Sequence, residues 1–259
     1  MSYPLPDPDL RYEAPQPQIP PSPQNPWRMA DLIVFGVFFL LTVLFLPVTV
    51  IRIWRIFKPD LQLADLTAVD QVVLQGVMNL VLVGFIAFLI KIVHRRSFVE
   101  TIHWYRNYQY NTGFLISLGA TLAITVLIVS SFLPPGETPP IEKLLSSTRA
   151  VYVFALFGIG AAPLFEEIIF RGFLFKVLFD IGGSRTAVSA TAILFALLHL
   201  PQLWGSWAGV GLIFVVGYVL SYVRLRSNSL IPSFIIHTSY NAMLFGVFAL
   251  GTFVQKGVR

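Results

Sequence analysis

The stretch APLFEEIIFRGFLF, residues 162–175, places two carboxylates and one guanidinium inside an apolar run that covers residues 150–179. An apolar segment of this length is a candidate membrane span. Ionisable side chains inside such a segment are costly, and by default they mark a functional site. The stretch therefore predicts a membrane protein and also predicts where its functional groups lie.

The two glutamates of this stretch have different surroundings on a helix. Glu167 and Arg171 are four residues apart with the acid on the N-terminal side, which is the favourable order for an ion pair. This spacing predicts a supporting clasp inside a helix bundle. Glu166 lies about 100° round the helix and cannot share that face. Glu166 is left without a local partner, so we predict that it is the working group.

The composition indicates an all-α polytopic membrane protein. Of the 259 residues, 56% are hydrophobic and only 12% are charged, about half the charged share of a soluble domain. The net charge of +5 fits basic loops at a negative membrane surface. Nucleic acid is not expected as a partner, because the basic residues form no continuous stripe. The absence of cysteine excludes disulfides and thiol nucleophiles, so a metal would need His, carboxylate or amide oxygen ligands.

Seven apolar runs predict a bundle of about seven transmembrane helices. The runs cover residues 29–51, 72–93, 112–133, 150–179, 186–200, 209–223 and 230–253. Gly182 and Gly183 are expected to turn the chain between the fourth and fifth runs, with Ser184 as a helix cap. Trp27 and Trp54 flank the first run as interface anchors.

The remaining segments predict three parts of the chain. Residues 1–28 contain nine of the eighteen prolines and form a disordered, Pro-rich cytoplasmic tail. Residues 29–148 contain the N-terminal transmembrane helices, an interfacial stretch at 94–111 with solvated His94 and His103, a proline-rich loop and a short surface helix at 141–147. Residues 149–259 are the third part, which contains the helices with the candidate functional groups.

Basic residues predict the orientation. Ten lie on the side of the tail, with Arg224 and Arg226 among them, and seven lie on the other side. This excess favours a cytoplasmic N-terminus.

Two histidines in apolar runs extend the site. His199 follows Phe195 by one helical turn, so the phenyl ring can pack beneath the imidazole, and His237 and Asn241 are related in the same way. Bundle cores bring such groups together from several helices. We therefore expect a polar cavity among the fourth, fifth and seventh helices.

These groups suit two ways of activating water. A glutamate in a low-dielectric site can transfer protons near neutral pH, with one His orienting water and a His–Asn pair donating to an oxyanion. Two His and one Glu could instead hold a catalytic zinc ion. Both arrangements hydrolyse peptide bonds. Serine catalysis has little support, because no Gly-x-Ser-x-Gly elbow surrounds Ser189 or Ser239.

Three motifs in order resemble those of the CPBP intramembrane proteases, a family that includes the type II CAAX prenyl endopeptidases. They are Glu166-Glu167-x-x-x-Arg171, Phe195-x-x-x-His199 and His237-x-x-x-Asn241. The resemblance implies an integral protein of a bacterial plasma membrane that cleaves a peptide or protein substrate, lipidated in CAAX-type enzymes.

The resemblance also implies a role for each motif residue. Glu166 and His199 activate water, and His237 and Asn241 stabilise the oxyanion. Glu167, Arg171 and Phe195 are supporting residues. Either zinc is held by Glu166, His199 and His237, or the glutamate mechanism needs no metal; the His237–Asn241 spacing favours a hydrogen-bonding pair over a zinc shell.

Two rival functions remain open at this stage. A proton- or ion-coupled transporter also needs ionisable groups at membrane depth. Such folds often have two related halves, and no internal repeat is visible here. A non-catalytic membrane scaffold of the same fold is the second rival, and the intact motifs count against it.

Overall fold

The computed structural model describes residues 27–60, 62, 66–106, 108–132 and 148–257, and within these ranges it contains helices and turns without strands. The proline-rich tail 1–26 and the segment 133–147, with its expected surface helix, lie outside the described residues. The helical bundle predicted from the apolar runs is confirmed.

The described chain consists of nine α-helices and three short π-helical segments. Before residue 133 the helices are α1 (Met29–Trp54), α2 (Ala68–Phe88), α3 (Phe98–Thr101) and α4 (Thr112–Ser131). After residue 147 they are α5 (Thr148–Leu156), α6 (Ala162–Glu167), α7 (Phe175–Leu198), α8 (Trp207–Ser227) and α9 (Leu230–Gly257). The π-helical segments are Leu89–Val93, Phe157–Ala161 and Ile168–Leu174.

The fourth and fifth apolar runs form one hydrogen-bonded helical segment that folds back on itself. Among the described residues, six helices are long and apolar enough to cross a membrane, and one of them, Val151–Leu198, has 48 residues. Inside it, Gly183 has φ 73° and ψ −172°, which is a backbone conformation suited to glycine. Phe195 follows Arg171 by 24 positions, which would place the two about 36 Å apart along a straight helix. The Phe195 ring nevertheless lies 4.6 Å from the Arg171 guanidinium, so the chain reverses at the predicted glycine turn.

Two glycines allow neighbouring helices of the bundle to pack closely. A Cβ on Gly217 of α8 would lie 3.0 Å from the Phe195 ring of α7. A Cβ on Gly119 of α4 would meet the Ile236 carbonyl of α9 at less than contact distance. Glycine at both positions therefore allows two helix pairs to approach more closely than any other residue would permit.

The first helix is the most lipid-exposed part of the bundle. Its outward face exposes large apolar side chains such as Ile33, Leu44 and Phe45, while few of its residues are buried. It continues through Pro47 to Trp54. Trp27, which we expected to anchor at the interface, is instead buried, with its ring 4.6 Å from that of Phe173. Trp27 lies just before α1, where Phe173 of the π-helical segment Ile168–Leu174 packs against its ring.

The interfacial stretch is folded against the bundle and is less solvated than expected. His94 Nε2 lies 3.0 Å from the Asp31 carboxylate at the start of α1, and His103 is half-buried. Both histidines were expected to be solvated, and that expectation is wrong. The only helix inside residues 94–106 and 108–111 is the four-residue α3.

Candidate active site

The two glutamates lie at the end of a short α-helix that has a π-helical segment on each side. The six residues of α6 separate Phe157–Ala161 from Ile168–Leu174. π-Helical turns interrupt the regular i→i−4 hydrogen-bond ladder and are frequent at functional sites. In both segments a side chain from another helix bonds a backbone carbonyl: Asn241 Nδ2 donates to Gly158 at 2.6 Å, and Arg224 Nε donates to Arg171 at 3.2 Å.

Glu167 is the centre of a buried ionic cluster. Its Oε1 accepts hydrogen bonds from Arg171 Nη1 at 2.9 Å and from His237 Nδ1 at 3.0 Å. The side chains of Glu167 and Arg171 are 0% exposed. Since both donors converge on one oxygen, the carboxylate is fixed in place. The predicted Glu167–Arg171 pair is confirmed, and α9 adds a partner that the local spacing could not give.

Glu166 is the accessible carboxylate of the pair. Its side chain is 20% exposed, and its Oε2 lies 3.7 Å from His237 Nε2. That distance is too long for a hydrogen bond and within the range of an ion pair. We expected Glu166 to lack a local partner along its own helix. The structure supplies one from α9, so one imidazole stands between the two carboxylates.

Phe195 connects both histidines to the buried arginine. Its ring centroid lies 4.6 Å from that of His199 and 5.7 Å from that of His237. The Arg171 guanidinium lies 4.6 Å from the ring centre, in cation–π range. The predicted packing of Phe195 beneath His199 is confirmed, and the same ring also supports His237 and Arg171.

His199 is oriented by the backbone of its own helix. Its Nδ1 lies 2.8 Å from the Phe195 carbonyl, and because a carbonyl only accepts, Nδ1 carries the proton. In the neutral ring Nε2 is therefore an acceptor. Among the described hydrogen bonds and ion pairs, none joins His199 directly to either glutamate.

Asn241 is held by a backbone carbonyl. Its amide donates one hydrogen to Gly158, which leaves the second N–H and the amide oxygen for another partner. Asn241 and His237 thus both reach the α5–α7 segment from α9, although they contact different parts of it.

Helix α8 contributes to the site in a way that the sequence analysis missed. Arg171 Nη2 donates to the Gly217 carbonyl at 2.9 Å, while Arg224 Nε donates to the carbonyl of Arg171 itself. Arg224 is only 1% exposed, and its guanidinium lies 5.4 Å from the Phe175 ring. We had counted it as a loop cation, which is wrong. The sequence does place Arg224 seven residues after Gly217, on the same helix face, and this spacing could have indicated that Arg224 faces the bundle.

The carboxylates and imidazoles of the site are also the side chains that could ligate a metal ion. Within the described ranges, no group of three or more His, Asp or Glu side chains has an arrangement that could hold a metal. His237 Nδ1 contacts Glu167 and His199 Nδ1 contacts the Phe195 carbonyl, so each ring has only Nε2 left to offer a metal. The predicted ligand set Glu166, His199 and His237 is not gathered into a ligand cluster in this geometry.

Comparison with known proteins identifies the motif-bearing region. Residues 148–243 match a family model described as Type II CAAX prenyl endopeptidase Rce1-like. No solved structure matches the chain. The matched residues include all three motifs, and six membrane-spanning helices agree with an integral membrane protein.

Two curated bacterial proteins are similar to the chain. The membrane-embedded CAAX protease MroQ of Staphylococcus aureus (strain USA300) is 28% identical over 114 residues, which is 41% of this chain and 46% of that protein. The UPF0177 protein YxdF of Lactococcus lactis subsp. lactis (strain IL1403) is 26% identical over 132 residues, covering 50% of this chain and 69% of that protein. The match thus spans about half the length of the first relative.

Proposed function

We propose that the chain is an intramembrane endopeptidase of CAAX type, because residues 148–243 match the Rce1-like family model and carry all three motifs of the CPBP intramembrane proteases. Its substrates are membrane-associated peptides or proteins, lipidated ones among them, and its partner surface is the lipid bilayer. By analogy with its bacterial relatives it acts in a bacterial plasma membrane, and the excess of basic residues on the side of the tail favours a cytoplasmic N-terminus.

The observation that carries the proposal is one imidazole between two unequal carboxylates. His237 donates to Glu167, which is fully buried and neutralised by Arg171, and it faces Glu166, which is partly open. This division gives one acid that fixes the geometry and one that is free to exchange a proton. A general base must reach water, and Glu166 is the carboxylate of the two that can.

In the proposed first step, Glu166 accepts a proton from water as the water oxygen attacks the scissile carbonyl carbon. His199 Nε2 accepts the second hydrogen of that water and so orients it. The carbonyl oxygen becomes an oxyanion. The free N–H of Asn241 and, with a proton on each ring nitrogen, the Nε2–H of His237 donate hydrogen bonds to it.

In the second step, the carbon–nitrogen bond breaks and the proton held by Glu166 passes to the leaving nitrogen. The products are a carboxyl group and an amine, and Glu166 returns to its starting charge. Phe195 excludes water from the far side of both imidazoles, because its ring packs against each of them.

The test compares Glu166→Gln with the unmodified protein. The purified full chain is incubated in lipid nanodiscs with membrane-anchored and prenylated peptides, and new termini are identified by mass spectrometry. Glu166→Gln keeps the side-chain shape and removes the base, so we expect a loss of about 10²–10⁴-fold in cleavage rate. His199→Ala and Asn241→Ala should also fold and lose most activity, with about 10²–10³-fold assigned to the oxyanion donor.

Glu100→Gln is the matched control, since Glu100 is exposed on α3 outside the site. It should cleave at the normal rate. Substantial cleavage by the Glu166→Gln protein would overturn the proposal. Proton flux through vesicles without cleavage would favour the transporter reading, and absence of both activities would favour a scaffold. Metal analysis and chelator treatment of the active protein then test the metal-free mechanism, which predicts unchanged turnover.

A further inference from the structure

A polar cavity lies away from the glutamates, where the interfacial stretch meets the end of α8. It is a shallow cavity, open on its outer side, with a volume of about 300 Å³ and a lining of Tyr108, Gln109, Arg226 and Ser227. Two hydrogen bonds hold its walls together: Ser229 Oγ donates to the Tyr105 carbonyl at 2.6 Å, and Leu230 N donates to the His103 carbonyl at 2.9 Å. These bonds fix the interfacial stretch to the start of α9 beside the cavity.

The lining chemistry favours an oxyanion. All four side chains carry hydrogen-bond donors, and none is a carboxylate. The Ser227 hydroxyl already donates to the Ser229 carbonyl at 3.0 Å, which leaves the donors of Arg226, Tyr108 and Gln109. None of the ion pairs in the described part of the chain includes Arg226. A guanidinium beside neutral donors is a typical setting for a phosphate group.

The surroundings of the cavity are electropositive. Burial, followed by the positive charges of Arg224 and Lys176, lowers the pKa of nearby His103 from 6.5 to about 4. Burial is the larger cause, and the charges of Arg224 and Lys176 add to it, so two further cations lie near Arg226 in this part of the fold.

An exposed face of α8 leads to the cavity. Val215, Tyr218 and Tyr222 are 47%, 43% and 49% exposed, and Arg226 continues their spacing of three or four residues along one helix face. This helix is long and apolar enough to cross a membrane and ends at Ser227, which would place Arg226 at headgroup depth and the tyrosines against lipid. Tyrosine is enriched at this boundary.

We propose that the cavity binds the phosphate of an anionic phospholipid, with an acyl chain lying along Val215, Tyr218 and Tyr222. Basic residues near a membrane surface favour anionic lipids, and the apolar face selects a lipid over free phosphate. This site is independent of the proposed proteolysis, because none of its lining residues belongs to the glutamate–histidine cluster.

The experiment measures lipid retention by native mass spectrometry of the purified full chain in detergent. Phosphatidylglycerol and phosphatidylcholine with identical acyl chains are titrated in parallel. We expect preferential retention of phosphatidylglycerol, and Arg226→Gln should reduce that retention about fivefold, the value of one basic residue near the surface. Tyr222→Ala should reduce retention of both lipids, since it removes acyl-chain contact.

Arg185→Gln is the matched control. Arg185 is exposed and lies at the same end of the bundle, because the neighbouring Ala187 and Val188 pack in one cluster with Leu225. It does not line the cavity, so its variant should retain phosphatidylglycerol normally. Equal retention of the two lipids, or equal losses from Arg185→Gln and Arg226→Gln, would overturn the proposal. Displacement by millimolar inorganic phosphate, with no effect of Tyr222→Ala, would assign the cavity to free phosphate and overturn the lipid assignment.

Discussion

Two carboxylate–imidazole pairs of equal length lie in different parts of this molecule. The Glu167–His237 and Asp31–His94 distances are both 3.0 Å. The first pair is almost fully buried at membrane depth and includes Arg171, whereas Asp31 and His94 are 10% and 14% exposed near the headgroups. Distance alone therefore does not measure what such a pair does. The deep pair must balance its charges internally, while the interfacial pair shares them with water.

The two pairs are also held by different means. Asp31 is set by the start of α1, where it accepts a hydrogen bond from the Arg28 backbone at 2.7 Å. Such a helix-start carboxylate is stabilised locally. Glu167 depends on groups from α8 and α9, through Arg171 and His237. Damage to the deep pair should consequently spread across helices, and damage to the interfacial pair should stay local.

The largest expected effect comes from Arg171→Ala. This change leaves Glu167 as a buried charge without its cationic partner, and removing one member of a buried pair costs about 3–5 kcal/mol. We expect a low yield of folded protein and a large fall in thermal midpoint in detergent, together with loss of cleavage. Expression level and thermal unfolding measure the effect.

Lys176→Ala provides the matched control for that prediction. Lys176 pairs with Asp180 at the same i,i+4 spacing, but at 3.4 Å and with both side chains more than 20% exposed. Removing such an exposed pair costs about 0–1 kcal/mol. Equal midpoints for the Arg171→Ala and Lys176→Ala proteins would refute the distinction between deep and exposed pairs.

The next effect concerns Arg224, which supports the deep cluster from α8. Arg224→Ala removes the hydrogen bond to the Arg171 carbonyl and the packing on Phe175. Leaving a buried acceptor without its donor costs about 1–3 kcal/mol. We expect a measurable loss of thermal stability and a lower kcat with little change in KM, because Arg224 acts through the backbone of the site segment.

Arg226→Ala, two residues further along, is the control for this prediction, since Arg226 is exposed. A surface substitution usually changes stability by about 0.5 kcal/mol or less. If Arg224→Ala behaved like Arg226→Ala in both stability and kcat, α8 would have no supporting role in the site.

Much of the fold was predictable because its determinants are local. Continuous apolar runs identify the spans, and the Gly182-Gly183 pair identified the reversal between two of them. The Glu167–Arg171 pair and the Phe195–His199 contact followed from i,i+4 spacing on one helix.

The misses share a different physical cause. Arg224 and Arg226 look alike in sequence, yet one packs on Phe175 and the other is exposed. His94 is paired by Asp31, 63 residues away. Such partners depend on tertiary packing, which hydropathy and helical spacing do not encode. The roles of the motif residues rest on family resemblance and await the Glu166→Gln experiment.

A smaller effect is expected from Asp31→Asn at the interfacial pair. The amide keeps an acceptor for the Arg28 backbone and removes the charge that attracts His94. His94 and Asp31 keep only 14% and 10% of their side chains exposed, but the pair lies at the bundle's edge and Asp31 stays bonded to the Arg28 backbone, so we expect a loss of about 1 kcal/mol, seen as a small fall in thermal midpoint. Cleavage should be unchanged. A loss of stability as large as that of Arg171→Ala would mean that the two pairs are equivalent.

The smallest effect is a pH dependence at His103, in the same interfacial stretch. Burial, followed by the nearby cations Arg224 and Lys176, lowers the pKa of His103 to about 4, although a hydrogen bond with Asn228 acts in the opposite direction. In the unfolded chain the pKa is near 6.5. Between these values the unfolded state binds a proton that the folded state does not. The stabilisation is therefore complete above pH 6.5 and declines as the pH falls towards 4.

For this half-buried ring, solvent screening limits the effect to about 1 kcal/mol. His103→Asn should flatten the dependence, and asparagine tolerates the φ of 57° found here. The measurement compares thermal midpoints of both proteins between pH 7 and pH 4.5, where acidic groups titrate equally in each. We expect the difference between the two proteins to change with pH in favour of the variant at low pH. A midpoint difference that stays constant with pH would mean that the fold does not lower the pKa of His103. Water would then solvate this part of the interfacial stretch.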